Sequence, residues 1–203
     1  GPEEDPTGGF KYGGWSVNYW DQMMGGAMGE AMTKPFDLLL GRKTYEIFAA
    51  HWPFVKEGPD IAAAEKLNGA KKYVVSKTLT KVGWENSTLI NGDVVKQIRE
   101  LKNQNGPEIQ VHGSSNLLQT LLKNELLDEV RMWTFPVTVG GGKRLFGEGT
   151  VSAGWKVLDS KVSTTGVIMA TYAPSGKIQI GSFQLANPTV AEVARREGMK
   201  SEK

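Results

Sequence analysis

Three short stretches of the chain combine the residue types that hold phosphate. The first is Leu40-Gly41-Arg42-Lys43-Thr44-Tyr45. Gly41 breaks an apolar run and Arg42 opens a helical pattern, so two cations fall in the first helical turn. The helix macrodipole disfavours cations there by roughly 0.3–1 kcal/mol. A bound anion reverses that sign, and the unpaired amides of a helix start are ready donors to phosphate oxygens. Thr44 adds a hydroxyl. The second stretch, Val111-His112-Gly113-Ser114-Ser115-Asn116, again runs from strand through a small-residue turn into a helix start, which suits a pyrophosphate. The third, Ser76-Lys77-Thr78 after Tyr73-Val74-Val75, puts a hydroxyl and a cation at a strand end, within the reach of a ribose 2′-phosphate. Each stretch also has a plainer reading: a solvated basic helix start, a serine N-cap, a polar turn. Two strand-turn-helix junctions in one domain reinforce each other, because a dinucleotide has phosphates to place along the carboxyl edge of a sheet.

The elements that must position these stretches follow from the hydrophobic pattern. Phe36 to Leu40 is a short apolar run, the signature of a buried strand. Arg42 to Ala50 reads as a helix, and Lys72 to Ser76 as a second strand. Val94, Val95, Ile98 and Leu101 fall at helical spacing behind Asp93, a suitable N-cap. Ile109 to His112 is a third strand, and Leu117, Leu118, Leu121 and Leu122 mark the helix after it. Val130 to Phe135 is a fourth strand with large apolar groups on both faces, as expected of a strand covered by helices or of one whose second face meets another subunit. Trp155 to Val162 and Val167 to Tyr172, joined across Thr164-Thr165-Gly166, form a closing antiparallel hairpin. Trp15 to Met32 reads as one or two helices interrupted at Gly25-Gly26. Gly1 to Gly14 reads as loop, and Pro188 onward as a polar helix or tail. Alternating strands and helices predict an α/β fold: a mostly parallel sheet flanked by helices, with the antiparallel hairpin at the end. The expected domain covers residues 1–185, with a tail over 186–203.

Composition removes several classes of chemistry. The chain of 203 residues has no cysteine and two histidines, His51 and His112. Disulfides, thiolate zinc sites and cysteine nucleophiles are therefore excluded, as is any site needing several histidines. A net charge of +2 gives no case for nucleic acid or membrane binding, and no basic stripe with interleaved aromatics appears. No apolar run approaches a membrane span and no signal peptide is visible, so the expected compartment is the cytoplasm. The standard fingerprints fail as well: there is no G-x-G-x-x-G after a strand, and Gly140-Gly141-Gly142-Lys143 lacks P-loop spacing. His112, closing an apolar strand, reads as a structural hydrogen-bonding residue. The aromatics Trp15, Tyr19, Trp20, Tyr45, Trp52 and Phe54 are core by default, though some of them could form a flat slot for a planar heterocycle.

In their order, these junctions resemble the dihydrofolate reductase superfamily, and specifically the branch related to the C-terminal reductase domain of the bifunctional riboflavin-biosynthesis deaminase-reductase. The resemblance is carried by Phe36 to Glu46, Lys72 to Lys77, Gln110 to Ser114, Leu126 to Arg131 and Pro136 to Phe146. It implies NADPH as cofactor: Gly41, Arg42, Lys43 and Thr44 at its phosphates, Ser76 and Lys77 near the adenosine phosphate, and Gly113, Ser114, Ser115 and Asn116 cradling the pyrophosphate. It also implies a homodimer.

Three features depart from the superfamily pattern. The position of the folate-anchoring carboxylate falls near Gly25, with Asp21 and Glu30 close by. The chain begins after the place of the first family strand, so that strand is expected to be missing. The tail from Ala186 extends beyond the usual end. The candidate substrate residues are Trp15, Asp21, Tyr45 and Trp52. Two functions stay open: hydride transfer from NADPH to a C=N or C=O bond of a pterin-like or ribosylaminopyrimidine-like heterocycle, or a non-catalytic module binding the same cofactor or ligand.

Overall fold

Strand β1 (Phe36–Gly41) is buried along its whole length, and the rest of the fold is arranged around it. Its side chains alternate between two cores. Phe36, Leu38 and Leu40 pack with Tyr45, Leu67 and Val74, while Leu39 packs with Ile90, Ile98, Leu117 and Leu121. Fully burying a leucine such as Leu38 or Leu40 stabilises the fold by about 1.5–3 kcal/mol. This two-sided burial is why the run is apolar on both faces, with Asp37 the one charged residue in it.

The structure, a computed structural model, describes residues 9–202. Of the expected opening loop, Gly1 to Pro6 and the two residues after it lie outside the described residues, as does Lys203. Helix α1 (Gln22–Ala31) precedes β1. Helices α2 (Arg42–His51) and α3 (Ile61–Gly69) lead to β2 (Lys72–Val75). Then come β3 (Ser87–Ile90), α4 (Val94–Lys102), β4 (Glu108–Gln110) and α5 (Ser115–Lys123). These strands form a parallel sheet in the order β3-β2-β1-β4, with Gly41 level with Val75 and Leu38 level with Gln110. The chain builds outward from β1 through β2 to β3, then returns to place β4 on the other side. The strand order therefore reverses between β1 and β4, the place where open α/β sheets bind ligands.

A second sheet, antiparallel, has the order β5-β7-β6, from β5 (Val130–Thr134), β6 (Gly154–Val162) and β7 (Ile168–Gly176). Its inner face carries Trp133 and Met169 against Met24, Tyr19 and Ala27. Helix α6 (Val190–Ser201) ends the described chain and buries no residue.

Several expectations change. Helix α1 runs straight through Gly25-Gly26: neither glycine has a positive φ, and Met24, fully buried, anchors the first turn. Strand β5 is neither parallel nor central. It is the edge of the antiparallel sheet, Val130 and Met132 are only half-buried, and Phe135 lies past its end. Helix α3 and strand β3 were not anticipated.

Lys72, at the start of β2, is fully buried. Its Nζ donates to the carbonyls of Asn68 (2.6 Å), Ala70 (2.8 Å) and Glu85 (3.1 Å) and lies 4.3 Å from the Trp84 ring centroid. Burial pulls its pKa down to about 8, against the opposing pull of the Glu85 carboxylate.

Candidate functional site

Parallel strands end at one edge, and here that edge collects all three phosphate-type stretches. Because β1 lies between β2 and β4, the Gly41 turn is flanked by Ser76 on one side and by the His112–Ser114 turn on the other.

The two glycine turns touch. A Cβ built on Gly41 would overlap the Ser114 Oγ and lie 3.2 Å from the Ser114 Cβ. Gly41 has φ −73° and ψ 157°, ordinary extended backbone, so it is the neighbour and not the conformation that selects glycine here. Gly113 is the opposite case. Its φ of +93° disfavours any side chain, and a Cβ there would meet the Thr44 Oγ1 at 3.3 Å. The Gly113–Ser114 peptide bond is cis.

Helices α2 and α5 both start at this contact, and neither receives a side-chain cap: the N-cap residues are Gly41 and Ser114, and the Ser114 hydroxyl makes no capping bond. In α1, α4 and α6, by contrast, Asp21, Asp93 and Thr189 cap the amides of Met24, Lys96 and Glu192. Helix α3, remote from this edge in sequence, also lacks a side-chain cap. The first amides of α2 and α5 are thus left to other acceptors.

Arg42 is exposed and pairs with Glu46 one turn on, at 3.1 Å. That i,i+4 pair offsets the dipole penalty on the cation, and at such exposure it is worth under about 1 kcal/mol. Lys43 and Thr44 are half-buried, and Lys77 and Asn116 are exposed. Ser76 is buried, and its Oγ accepts from the amides of Thr78 (3.1 Å) and Leu79 (3.0 Å), so its hydroxyl shapes the turn that presents Lys77. Ser115 opens α5, half-buried.

His112 lies beside this turn. Its Nε2 is 3.0 Å from the Gln110 Oε1, and the Gln110 Nε2 donates to the Ala31 carbonyl at 2.7 Å. Burial first, and the Arg131 charge second, hold its pKa below the usual imidazole value. The neutral ring is thus tied into a chain that joins β4 to the end of α1. Arg131 in turn lies 3.8 Å from Glu108, an ion pair that links β5 to β4.

The candidate substrate residues do not form one slot. Trp15 packs edge-on against Phe135 at 5.0 Å, near Tyr19 and the Trp20–Trp133 pair. Trp52 belongs to a different group, edge-on to Phe48, which in turn faces His112 at 6.3 Å. Tyr45 is core: its OH accepts from the amides of Gly83 (2.9 Å) and Trp84 (3.0 Å). Asp21 accepts with one oxygen from the Met24 amide (2.9 Å) and with the other from the amide (2.7 Å) and hydroxyl (2.6 Å) of Thr164. The Thr164 hydroxyl and the Met24 amide hold its pKa below the usual value. A cleft lined by Tyr45, Phe54, Lys56, Trp84 and Glu85 contains no residue of the two glycine turns.

One contributor was not visible in the sequence. Gln119 of α5 donates to the Leu145 carbonyl (2.8 Å) and accepts from the Thr150 hydroxyl (2.8 Å), tethering the loop that follows Gly140-Gly141-Gly142 to the helix that starts at the site. An amide on the polar side of an amphipathic helix looks like a solvated residue.

With this geometry in place, comparison with known proteins settles the family. Residues 11–169 match the RibD C-terminal domain. The chain belongs to the RibD C-terminal domain family. That family is the reductase domain of riboflavin biosynthesis, and the α/β fold described above is its fold. The chain is also 28% identical over 141 residues to the uncharacterized protein YyaP of Bacillus subtilis, covering 68% of this chain and 74% of that one. Among solved structures, one from Shewanella sp. PV-4, provisionally assigned to riboflavin biosynthesis, has a TM-score of 0.57 at 27% identity, covering 78% of this chain and 82% of its own. A pyrimidine reductase-like protein from Corynebacterium diphtheriae shares the fold, with a TM-score of 0.53 at 13% identity, covering 81% and 85%. The family match takes in all three phosphate-type stretches and stops inside β7. Among the described residues no cluster of metal-ligating side chains occurs, and no helix is long and apolar enough to cross a membrane.

Proposed function

We propose that this RibD-type domain is an NADPH-dependent reductase that transfers hydride to a C=N or C=O bond of a small planar heterocycle, of the pterin or ribosylaminopyrimidine kind. The observation that carries the reading is the contact of two glycine turns at the point where the strand order reverses. A side chain at Gly41 would push Ser114 aside, one at Gly113 would be opposed by its positive φ and crowded by the Thr44 hydroxyl, and two helix starts without side-chain caps lie beside that contact. Such a cradle fits a dinucleotide pyrophosphate, which needs close backbone and unpaired amides.

In this reading Gly41, Arg42, Lys43 and Thr44 hold one side of the phosphates, and Gly113, Ser114, Ser115 and Asn116 the other. Lys77 and Arg42 meet the 2′-phosphate, with Ser76 shaping the turn. NADPH when bound supplies the hydride, and the protein's task is orientation and electrostatics. Trp15 and Trp52 remain candidates for stacking a heterocycle. The work is placed in the cytoplasm, in keeping with a chain free of cysteine.

A second reading, a module that binds cofactor without turnover, is favoured by one observation: both oxygens of Asp21, the candidate acid, are engaged within the protein. The two readings part in one experiment. Protein is mixed with NADPH and each heterocycle class, and the nicotinamide absorbance is followed. Oxidation supports the reductase; binding of NADPH without oxidation supports the module.

A further inference from the structure

The loop between β5 and β6 touches both halves of the candidate site. It covers residues 135–153 and contains neither helix nor strand. At its start Phe135 meets the Trp15 ring edge-on at 5.0 Å. Midway, a Cβ built on Gly142 would lie 3.4 Å from the Phe10 ring, so the loop lies close against the segment that leads to Trp15. Further on, the loop is bound to α5 by Gln119. The Gln119 Nε2 donates to the Leu145 carbonyl and its Oε1 faces the Thr150 hydroxyl, each at 2.8 Å. The same hydroxyl lies 2.8 Å from the Gly147 carbonyl and so also closes the last turn of the loop.

That anchor is polar. Leu145, Phe146 and Val151 are each at least 40% exposed. A small cavity lined by Leu122 of α5 and by Phe146 and Val151 of the loop opens between the two. Burial of apolar surface therefore contributes little to where the loop sits. A segment with few buried apolar contacts opens at low cost, so the bonds to one half-buried side chain, Gln119, decide its position.

Gln119 lies one turn beyond Ser115, on the same face of α5 and about 6 Å along it. Ser115 is the first residue of that helix, at the start assigned to the pyrophosphate. Over one turn a helix moves as a rigid element with its hydrogen bonds intact. Whatever fixes its first turn therefore also fixes the backbone that carries Gln119.

We propose that the loop is a flap beside the site and that Gln119 is its positioning residue. Phosphate held at the start of α5 steadies Gln119, Gln119 holds Leu145 and Thr150, and the loop in turn holds the segment of Phe10 and Trp15 in place for a heterocycle. Gln119 itself touches neither ligand. The inference rests on the cofactor reading above and adds a conformational link to it: a bound cofactor closes the flap. By linkage the effect is reciprocal, so a closed flap also favours the cofactor.

Trypsin reads the flap directly, because Lys143 and Arg144 are exposed in it, next to the tethered Leu145. Cleavage after these two residues is followed by mass spectrometry with and without saturating NADPH, and NADPH binding is titrated on the same samples. Without cofactor, Gln119→Leu and Thr150→Val should be cut about tenfold faster than wild type, the scale of a lost hydrogen bond where cleavage tracks the open population. Their circular dichroism should be unchanged. Thr150→Ser, which keeps the hydroxyl, should match wild type. NADPH should slow wild-type cleavage by about fivefold or more, and should bind Gln119→Leu without slowing its cleavage. A cofactor-free rate in Gln119→Leu equal to that of wild type, or a Thr150→Ser protein cut as fast as Thr150→Val, overturns the tether. Bound NADPH that leaves wild-type cleavage unchanged, or that protects Gln119→Leu equally well, overturns the coupling while leaving the cofactor reading intact. A wild-type protein that binds no NADPH overturns both, a result the titration separates from the others.

Discussion

Gly41→Ala is the sharpest probe of the turn contact, because it changes only space. The backbone at Gly41 is open to any residue, so no conformational strain accompanies the substitution. The added methyl would overlap the Ser114 Oγ, and even with that hydroxyl rotated away the Ser114 Cβ stays at 3.2 Å, tighter than ordinary packing. Overpacking of this kind costs about 1–3 kcal/mol. For a chain of this size each kcal/mol shifts the melting temperature by about 2–4 °C, so a fall of about 2–12 °C is expected by calorimetry. NADPH affinity measured by titration should fall with it, since the turn that is pushed aside is the one assigned to the pyrophosphate. Ser114→Gly removes the obstructing atoms, so the double variant Gly41→Ala/Ser114→Gly should be more stable than the sum of the two single changes predicts, with a coupling of about 1 kcal/mol or more. An additive cycle, or a Gly41→Ala protein with unchanged melting temperature and NADPH affinity, would refute the claim that the two turns touch.

Gly113→Val tests the other turn, where a positive φ and the nearby Thr44 hydroxyl both oppose a side chain; it should lose NADPH binding and melt lower by at least the roughly 1–2 kcal/mol cost of left-handed backbone, read by titration and calorimetry. Lys72→Met leaves the carbonyls of Asn68, Ala70 and Glu85 without the buried ammonium that donates to them and should cost about 2–4 kcal/mol in urea unfolding. The pH dependence of Lys72 has a definite sign. Its pKa is about 8 folded against 10.5 unfolded, so between those values the unfolded chain binds the proton more tightly and stability rises with pH. The wild-type urea midpoint, taken relative to Lys72→Met, should climb across that window, and a flat difference would place the ammonium in water.

What the sequence disclosed follows physical lines. Strand β1 was legible because a central parallel strand buries both faces, so that Phe36, Leu38, Leu39 and Leu40 make a run that is apolar apart from Asp37. Helix α4 was legible because Asp93 caps it, accepting from the Lys96 amide at 3.0 Å, ahead of a clean helical period. Helix α3 was missed because Ala62, Ala63 and Ala64 give no periodic contrast, and β3 because Ser87-Thr88-Leu89-Ile90 is short and half polar. The glycine turns were found from composition, but their mutual contact joins Gly41 to Ser114 and Thr44 to Gly113, residues far apart in sequence, a separation no local pattern spans. The same limit applies to Tyr45, whose hydroxyl partners lie 38 and 39 residues away, and to Lys72, which by type belongs on the surface.

The central claim is that the edge formed by Gly41 to Thr44, Ser76-Lys77 and Gly113 to Asn116 holds NADPH. Parallel titrations of NADPH and NADH test it most directly. One charge-assisted contact to the 2′-phosphate contributes about 1.5–3 kcal/mol, so NADPH should bind at least about tenfold more tightly, and Arg42→Ala should shrink that ratio while changing NADH affinity less. Equal affinities for the two cofactors, or no binding of either, would contradict it.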